Sequence, residues 1–251
     1  MANYFSSNFT LGILGGGQLG KMMLYETRKF DITTHVLDPS LEAPCLIACD
    51  AFTQGDLMDY DTVYTFGKKV DILTFEIEGI NIEALEALEQ EGKKVYPSAK
   101  TLRNIQDKGV QKKFYTTHKI PTAPFSVFET IAKVKKAVAS GELKLPFVWK
   151  SCTGGYDGKG VQVIKNSHTL DLLPDCPCIA EELVAFKNEL AVIVVRNPSA
   201  QVKTYPVVEM EFHPQANQVE YGICPARIDD KVAAQARSIA IEVSTACDPV
   251  G

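Results

Sequence analysis

Trp149-Lys150-Ser151-Cys152-Thr153-Gly154-Gly155-Tyr156-Asp157-Gly158-Lys159-Gly160 sets a lysine behind an apolar run, just ahead of a glycine-rich loop. Leu145 to Val148 read as a short buried strand that delivers Lys150 to a fixed place. The glycines at 154, 155, 158 and 160 let backbone N–H groups approach an anion with no Cβ in the way. A lysine beside them adds a compact positive charge, so the pattern suits a phosphate-bearing ligand. The plainer reading is a β-hairpin with a glycine-rich turn, and this segment alone leaves both open.

Around it lie 251 residues, 45% hydrophobic and 23% charged, the balance of a soluble globular chain with room for one large or two ordinary domains. A net charge of −5 offers no broad basic surface for nucleic acid. An anionic ligand therefore needs a local site, and a small molecule is the expected partner. No run approaches the roughly 18 apolar residues of a membrane span, and Met1 to Phe9 lack the charged and apolar regions of a secretory signal. The seven cysteines are odd in number and lack the spacing of a zinc module, so they read as buried thiols in a reducing cytoplasm. No metal-ligand set is expected among the residues present.

Apolar strands and amphipathic helices alternate through the first hundred residues. Strands are expected at Leu11 to Leu14, Thr34 to Leu37 and Ile72 to Phe75, and helices at Gln18 to Lys29, Tyr60 to Lys68 and Ile82 to Gln90. That alternation predicts a parallel sheet closed by Pro97-Ser98. Helices are expected next at Ala99 to Ile105 and Lys108 to His118, then a strand at Ser126 to Phe128 and a helix at Ile131 to Ser140. Pro174-Asp175-Cys176-Pro177 marks a second boundary. Beyond it the pattern predicts strands at Ala191 to Val195, Val202 to Val208 and Val219 to Ile223, and a helix from Asp230 to Thr245.

Gly15-x-Gly17-x-x-Gly20 follows the first strand and opens a helix, and Asp38 ends the next strand, so a dinucleotide fingerprint is formally satisfied. Its physical content is narrower: a tight turn whose N–H groups, at a helix N-terminus, point at some anion. A Rossmann dehydrogenase leaves the second glycine loop and its lysine unexplained, which favours ATP-dependent over redox chemistry.

Together, Gly15-Gly16-Gly17-Gln18-Leu19-Gly20-Lys21-Met22, Thr74-Phe75-Glu76-Ile77-Glu78, Gln106-Asp107-Lys108 with Gln111-Lys112, Pro121-Thr122-Ala123-Pro124 and the loop from Thr153 to Gly160 resemble the 5-(carboxyamino)imidazole ribonucleotide synthase family of the ATP-grasp superfamily, from about Leu11 onward. The resemblance implies an α/β chain with a Rossmann-like pre-ATP-grasp domain over 1–98, a helical connector and lid over 99–175, and a partial ATP-grasp large domain over 176–251. It implies a ligase of purine biosynthesis that uses ATP, Mg2+ and bicarbonate to carboxylate 5-aminoimidazole ribonucleotide, as a cytoplasmic homodimer. Such chemistry has to neutralise a triphosphate, keep water from a labile acyl phosphate and hold an amine nearby.

By motif position, Lys108 and Lys150 resemble the basic residues on the nucleotide phosphates, and Gly154, Gly155, Tyr156, Asp157, Gly158, Lys159 and Gly160 the loop that closes over them. Glu181-Glu182-Leu183-Val184 resembles the hinge whose backbone reads the adenine edge, and Glu189 the carboxylate on the ribose hydroxyls. Gln18, Glu76, Tyr156, Asp157 and Lys159 resemble the contacts to the ribonucleotide. The plain alternative for most of these is a solvated surface charge. In Phe212-His213 the register leaves open which residue stands near the nucleotide.

The family pattern continues into further strands that carry its magnesium-binding glutamates, whereas this sequence stops at Asp248-Pro249-Val250-Gly251. The resemblance thus implies a truncated member, inactive if the reaction requires that missing metal-ligand segment. Two other classes remain open: an NAD-dependent oxidoreductase, from the first glycine loop, and a non-catalytic ribonucleotide-binding module.

Overall fold

The computed structural model describes residues 8–155, 160–213 and 219–247. The chain folds as two compact units, the first ending at Arg103 and the second beginning at Asn104.

The first unit alternates β1 (Thr10–Leu14), α1 (Gln18–Thr27), β2 (Thr33–Asp38), β3 (Ala51–Gln54), α2 (Tyr60–Lys68), β4 (Ile72–Phe75), α3 (Ile82–Gln90) and β5 (Lys94–Val95), and α4 (Ala99–Gln106) carries the chain past Arg103. The five strands form one sheet in the order β3-β2-β1-β4-β5, every pair parallel. Neighbouring strand residues point to opposite faces, and here both faces are covered. Ile13 and Val36 pack with Leu24 of α1 and Cys45 on one side, while Leu14, Leu37 and Leu73 meet Val63, Phe66, Leu85 and Leu88 of α2 and α3 on the other. Burial on both faces is why these strands read as continuous apolar runs. Helix starts follow local chemistry: Asp59 accepts from Thr62 N at 2.8 Å and Asn81 from Ala84 N at 2.8 Å.

The second unit contains α5 (Lys108–Thr117), β6 (Phe125–Phe128), α6 (Ile131–Ala139), β7 (Phe147–Ser151), β8 (Val161–Ile164) and β9 (Cys178–Glu182). It continues with β10 (Glu189–Ala191), β11 (Val194–Arg196), β12 (Val202–Thr204), β13 (Val208–Phe212), β14 (Val219–Ile223) and α7 (Asp230–Cys247). An antiparallel sheet runs β6-β9-β7-β8. One face packs Phe147, Trp149, Ile164, Cys178 and Ala180 against Ile131 and Val134 of α6. By strand alternation the other face carries Val148, Lys150, Ile179 and Glu181. The strand after the anticipated boundary at 175 is thus an inner strand of this sheet. Beyond it, β10-β13-β14 form a three-stranded sheet and β11-β12 a hairpin.

The differences from the sequence expectation have local causes. The strand expected at Leu145 to Val148 starts at Phe147 and runs to Ser151, because Pro146 has no N–H to give the ladder. Lys150 therefore lies within the strand, opposite Ile179 and Val161, instead of beyond its end. The run Val202 to Val208 divides at Tyr205-Pro206 for the same reason, and Ala191 to Val195 divides between β10 and β11, where Tyr205 N donates to Ile193 O at 2.9 Å. Among the described residues no helix is long and apolar enough to cross a membrane.

Trp149 is the chain's only tryptophan, so its fluorescence reports the α6-side core alone. Ile164→Ala, at a fully buried position of that core, is expected to cost about 2–5 kcal/mol. The readout is a lower urea midpoint for the Trp149 emission transition; an unchanged midpoint contradicts the packing.

Candidate functional site

In the first unit the turn after β1 is built around its glycines. Gly15 has φ +93° and donates to Leu37 O at 2.9 Å. A Cβ there would lie 2.9 Å from the Glu76 side chain and from Ile77. Two N–H groups of this turn are engaged from within: Gly16 N donates to Asp38 Oδ2 at 2.7 Å and Gly17 N to Glu76 Oε1 at 3.0 Å. The fingerprint's Asp38 and the Glu76 that follows β4 thus meet on the turn itself. Asp38, the residue that would read a dinucleotide ribose, is also held by Ser40 N at 2.8 Å. This commitment weighs against the oxidoreductase alternative. The turn and Glu76 still lie at the carboxyl ends of β1 and β4, where the strand order reverses direction and open α/β sheets accept ligands. Gln18 is exposed there at the start of α1, and Glu76 is half-buried.

In the second unit, charge gathers on the α5-side face of the β6-β9-β7-β8 sheet. Lys150 of β7 and Lys112 of α5 each make an ion pair with Glu181 of β9, one on each carboxylate oxygen. Lys112 also donates to the Thr122 hydroxyl and lies 5.7 Å over the Phe125 ring. Burial pushes the Glu181 carboxyl up, and the two ammonium groups more than offset it, so it titrates below its ordinary value. Helix α5 approaches closely because Gly109 faces Cys152 and Val127, where a Cβ would come within 3.3 Å of the Cys152 sulfur. Asp107 caps the helix by accepting from Gly109 N at 2.7 Å. Lys108 is half-buried, and its backbone N–H donates to Cys152 O at 2.8 Å, which ties the head of α5 to the end of β7.

That strand end is the foot of the glycine-rich loop. Ser151 N donates to Gly160 O at 2.9 Å and closes the loop's neck. Gly160 has φ +70° and a Cβ there would collide with the Ser151 hydroxyl, whereas Gly154, at φ +72°, faces open space. Gly155 is half-buried. Tyr156, Asp157, Gly158 and Lys159 lie outside the described residues. The structure therefore brings Lys108, Lys150, Gly154, Gly155, Gly160 and Glu181 into one neighbourhood. Lys112 is the residue that sequence reasoning left without a role; its signals are its place in the Gln111-Lys112 pair of the family motif and its position four residues after Lys108, on the same side of α5.

Glu181 differs from a hinge residue read through its backbone: β9 is flanked by β6 and β7, and the buried Glu181 side chain is engaged by lysines. Glu182 ends the strand, exposed, with its N–H on Pro124 O at 2.9 Å, and Leu183 and Val184 follow, exposed and beyond the ladder. Glu189 begins β10 and lines a cleft of about 560 Å3 with Phe186, Lys187, Asn188, Glu209 and Phe212. Phe212, rather than His213, lines that cleft. Its floor is held by Glu209, which accepts from Asn188 Nδ2 at 2.8 Å and from Arg227 Nε and Nη2, each at 3.0 Å. The Arg227 guanidinium holds the Glu209 carboxyl down at about 2.

Two family models match the chain: the ribonucleotide synthetase preATP-grasp domain over residues 9–106 and the ATP-grasp domain over residues 113–251. The N5-carboxyaminoimidazole ribonucleotide synthase of Bacillus subtilis is 35% identical over 96% of this chain and 63% of its own length. The chain is similar to the N5-carboxyaminoimidazole synthetase of Staphylococcus aureus complexed with ADP, at TM-score 0.89 and 30% identity, covering 100% of this chain and 66% of that one. It is also similar to the N5-carboxyaminoimidazole synthase of Aspergillus clavatus in complex with ADP and 5-aminoimidazole ribonucleotide, at TM-score 0.86 and 31% identity, covering 99% and 65%. The chain thus spans just under two thirds of the length of these relatives.

Two outcomes test the geometry. Gly15→Ala forces a side chain into left-handed backbone against Glu76, and a cost of about 1–3 kcal/mol in urea unfolding is expected. Because Glu209 titrates at about 2 when folded and near 4.5 otherwise, its ion pair contributes fully above pH 4.5 and its contribution is lost as pH falls toward 2. Glu209→Gln should therefore flatten the acid side of the stability profile between those values, and an unaltered slope there contradicts the pairing.

Proposed function

We propose, for a chain that belongs to the ATP-grasp family and stands within it beside the N5-carboxyaminoimidazole ribonucleotide synthases, that it carboxylates 5-aminoimidazole ribonucleotide with bicarbonate at the expense of ATP. The observation that carries the reading is Lys150, ion-paired within a buried lysine–glutamate cluster at the foot of a glycine-rich loop. In this reading the γ-phosphoryl group passes to a bicarbonate oxygen, releasing ADP. The exocyclic amine of the ribonucleotide then attacks the resulting carboxyphosphate carbon, and phosphate leaves as the N–C bond forms. Lys108 and Lys150 hold the phosphates, and the loop from Gly154 through Tyr156, Asp157, Gly158 and Lys159 to Gly160 covers them and excludes water. Glu182, Leu183 and Val184 read the adenine edge along the hinge that Glu181 begins, and Glu189 accepts from the ribose hydroxyls.

Gln18 and Glu76, at the carboxyl edge of the parallel sheet, receive the ribonucleotide, with Tyr156, Asp157 and Lys159 as further contacts. Support comes from the strand order, which reverses at β1. Mg2+ is proposed to accompany the triphosphate and to offset its charge. Among the described residues no group of three or more His, Cys, Asp or Glu is placed to hold a metal ion, so no step is assigned to it. Among the described residues no disulfide joins the cysteines, which supports a reducing, cytoplasmic setting. Homodimer assembly rests on the family resemblance.

Titration calorimetry with ADP, 5-aminoimidazole ribonucleotide and NAD, together with phosphate release from ATP with and without bicarbonate, tests the reading. Binding of the first two is expected, and Lys150→Gln should weaken ADP about tenfold or more. Affinity for NAD with none for ADP would sink it.

A further inference from the structure

Lys112 is buried, and the nucleotide reading gives it no contact with the ligand. An ammonium group in such a place is costly to desolvate unless it is paired, and the chain surrounds it with the Glu181 carboxylate, the Thr122 hydroxyl and the face of Phe125. Were Lys150 the sole partner of Glu181, the two charges would cancel and the strand would offer an anion a dipole in place of a net charge. With Lys112 present, two ammonium groups share one carboxylate, and one positive charge is left over. Exposure decides where that charge is felt: the Lys112 and Glu181 side chains are 10% and 7% exposed, and that of Lys150 30%.

We infer that Lys112 is a positioning residue for phosphate binding: it occupies one oxygen of Glu181, fixes the other on Lys150, and leaves Lys150 with uncompensated charge facing the ligand. The inference rests on the nucleotide reading above. Glu181 acts as a strut between the two lysines, and Thr122 and Phe125 hold the end that solvent does not reach. Because the effect is electrostatic, it concerns the phosphates of the nucleotide and not its nucleoside part.

Titration of the full chain with ADP and with adenosine tests this in the wild type, in Lys112→Met and in the double variant Lys112→Met/Glu181→Gln. Methionine keeps an apolar stem against Phe125 and removes the charge. Lys112→Met is expected to weaken ADP about tenfold or more while adenosine is unchanged. The double variant again carries one uncompensated ammonium group and should regain most of that loss. Equal losses for ADP and adenosine, or a double variant weaker than the single one, mean a merely structural role and overturn the inference; so does wild-type ADP affinity in Lys112→Met. If Lys112→Met does not fold, the double variant decides: ADP affinity within about threefold of wild type supports the inference and a loss of about tenfold or more overturns it. A wild-type chain that binds neither ligand overturns the nucleotide reading and this inference with it.

Discussion

A carboxylate buried between two ammonium groups organises the second unit. Glu181 sits on an inner strand, where burial alone would raise its pKa and favour the neutral acid. Lys112 and Lys150 reverse that, and in doing so they tie three elements together: α5 through Lys112, β7 through Lys150 and β9 through Glu181 itself. The helix can come close enough because Gly109 has no side chain to hold it off Cys152. Its head is pinned separately by the Lys108 N–H on Cys152 O. The foot of the glycine-rich loop is thus fixed by hydrogen bonds and ion pairs on one face of the sheet and by the packing of Trp149 and Phe147 on the other.

The parallel sheet was legible in the sequence because its strands are buried on both faces, so β1, β2 and β4 stand out as unbroken apolar runs. The edge strands were not: β3 (Ala51–Gln54) has one large apolar residue and β5 spans two residues, too little pattern for either to rise above a loop. Beyond β9, apolar content was read as continuous strands at Ala191 to Val195 and Val202 to Val208, and the breaks fall where Pro206 removes a donor and where the chain turns from β10 to β11. Composition shows how much strand there is; proline and pairing decide where it stops.

For the candidate site, the sequence supplied the motifs and their order but not their partners. Lys150 was conspicuous because its strand is otherwise apolar. Lys112 stood in a family motif but without a role, and only the fold shows that it points inward. Glu181 and Glu182 are adjacent and identical in type, yet strand alternation sends the first to the lysines and leaves the second exposed. Glu209 carries no motif at all: its importance to the cleft beside Glu189 comes from Asn188 and Arg227, which are distant from it in sequence.

The turn after β1 has a further consequence. In a dinucleotide-binding protein such a turn keeps its amide donors vacant and is a locally electropositive floor. Here the Asp38 and Glu76 carboxylates take two of those donors, Gly16 N and Gly17 N, from within, so acceptor oxygens stand among the amides of the floor. A carboxylate so placed disfavours a pyrophosphate laid directly against it and is an acceptor for hydroxyl or amino hydrogens. The same glycine spacing thus encodes opposite tastes, according to whether two acidic side chains arrive before the ligand does.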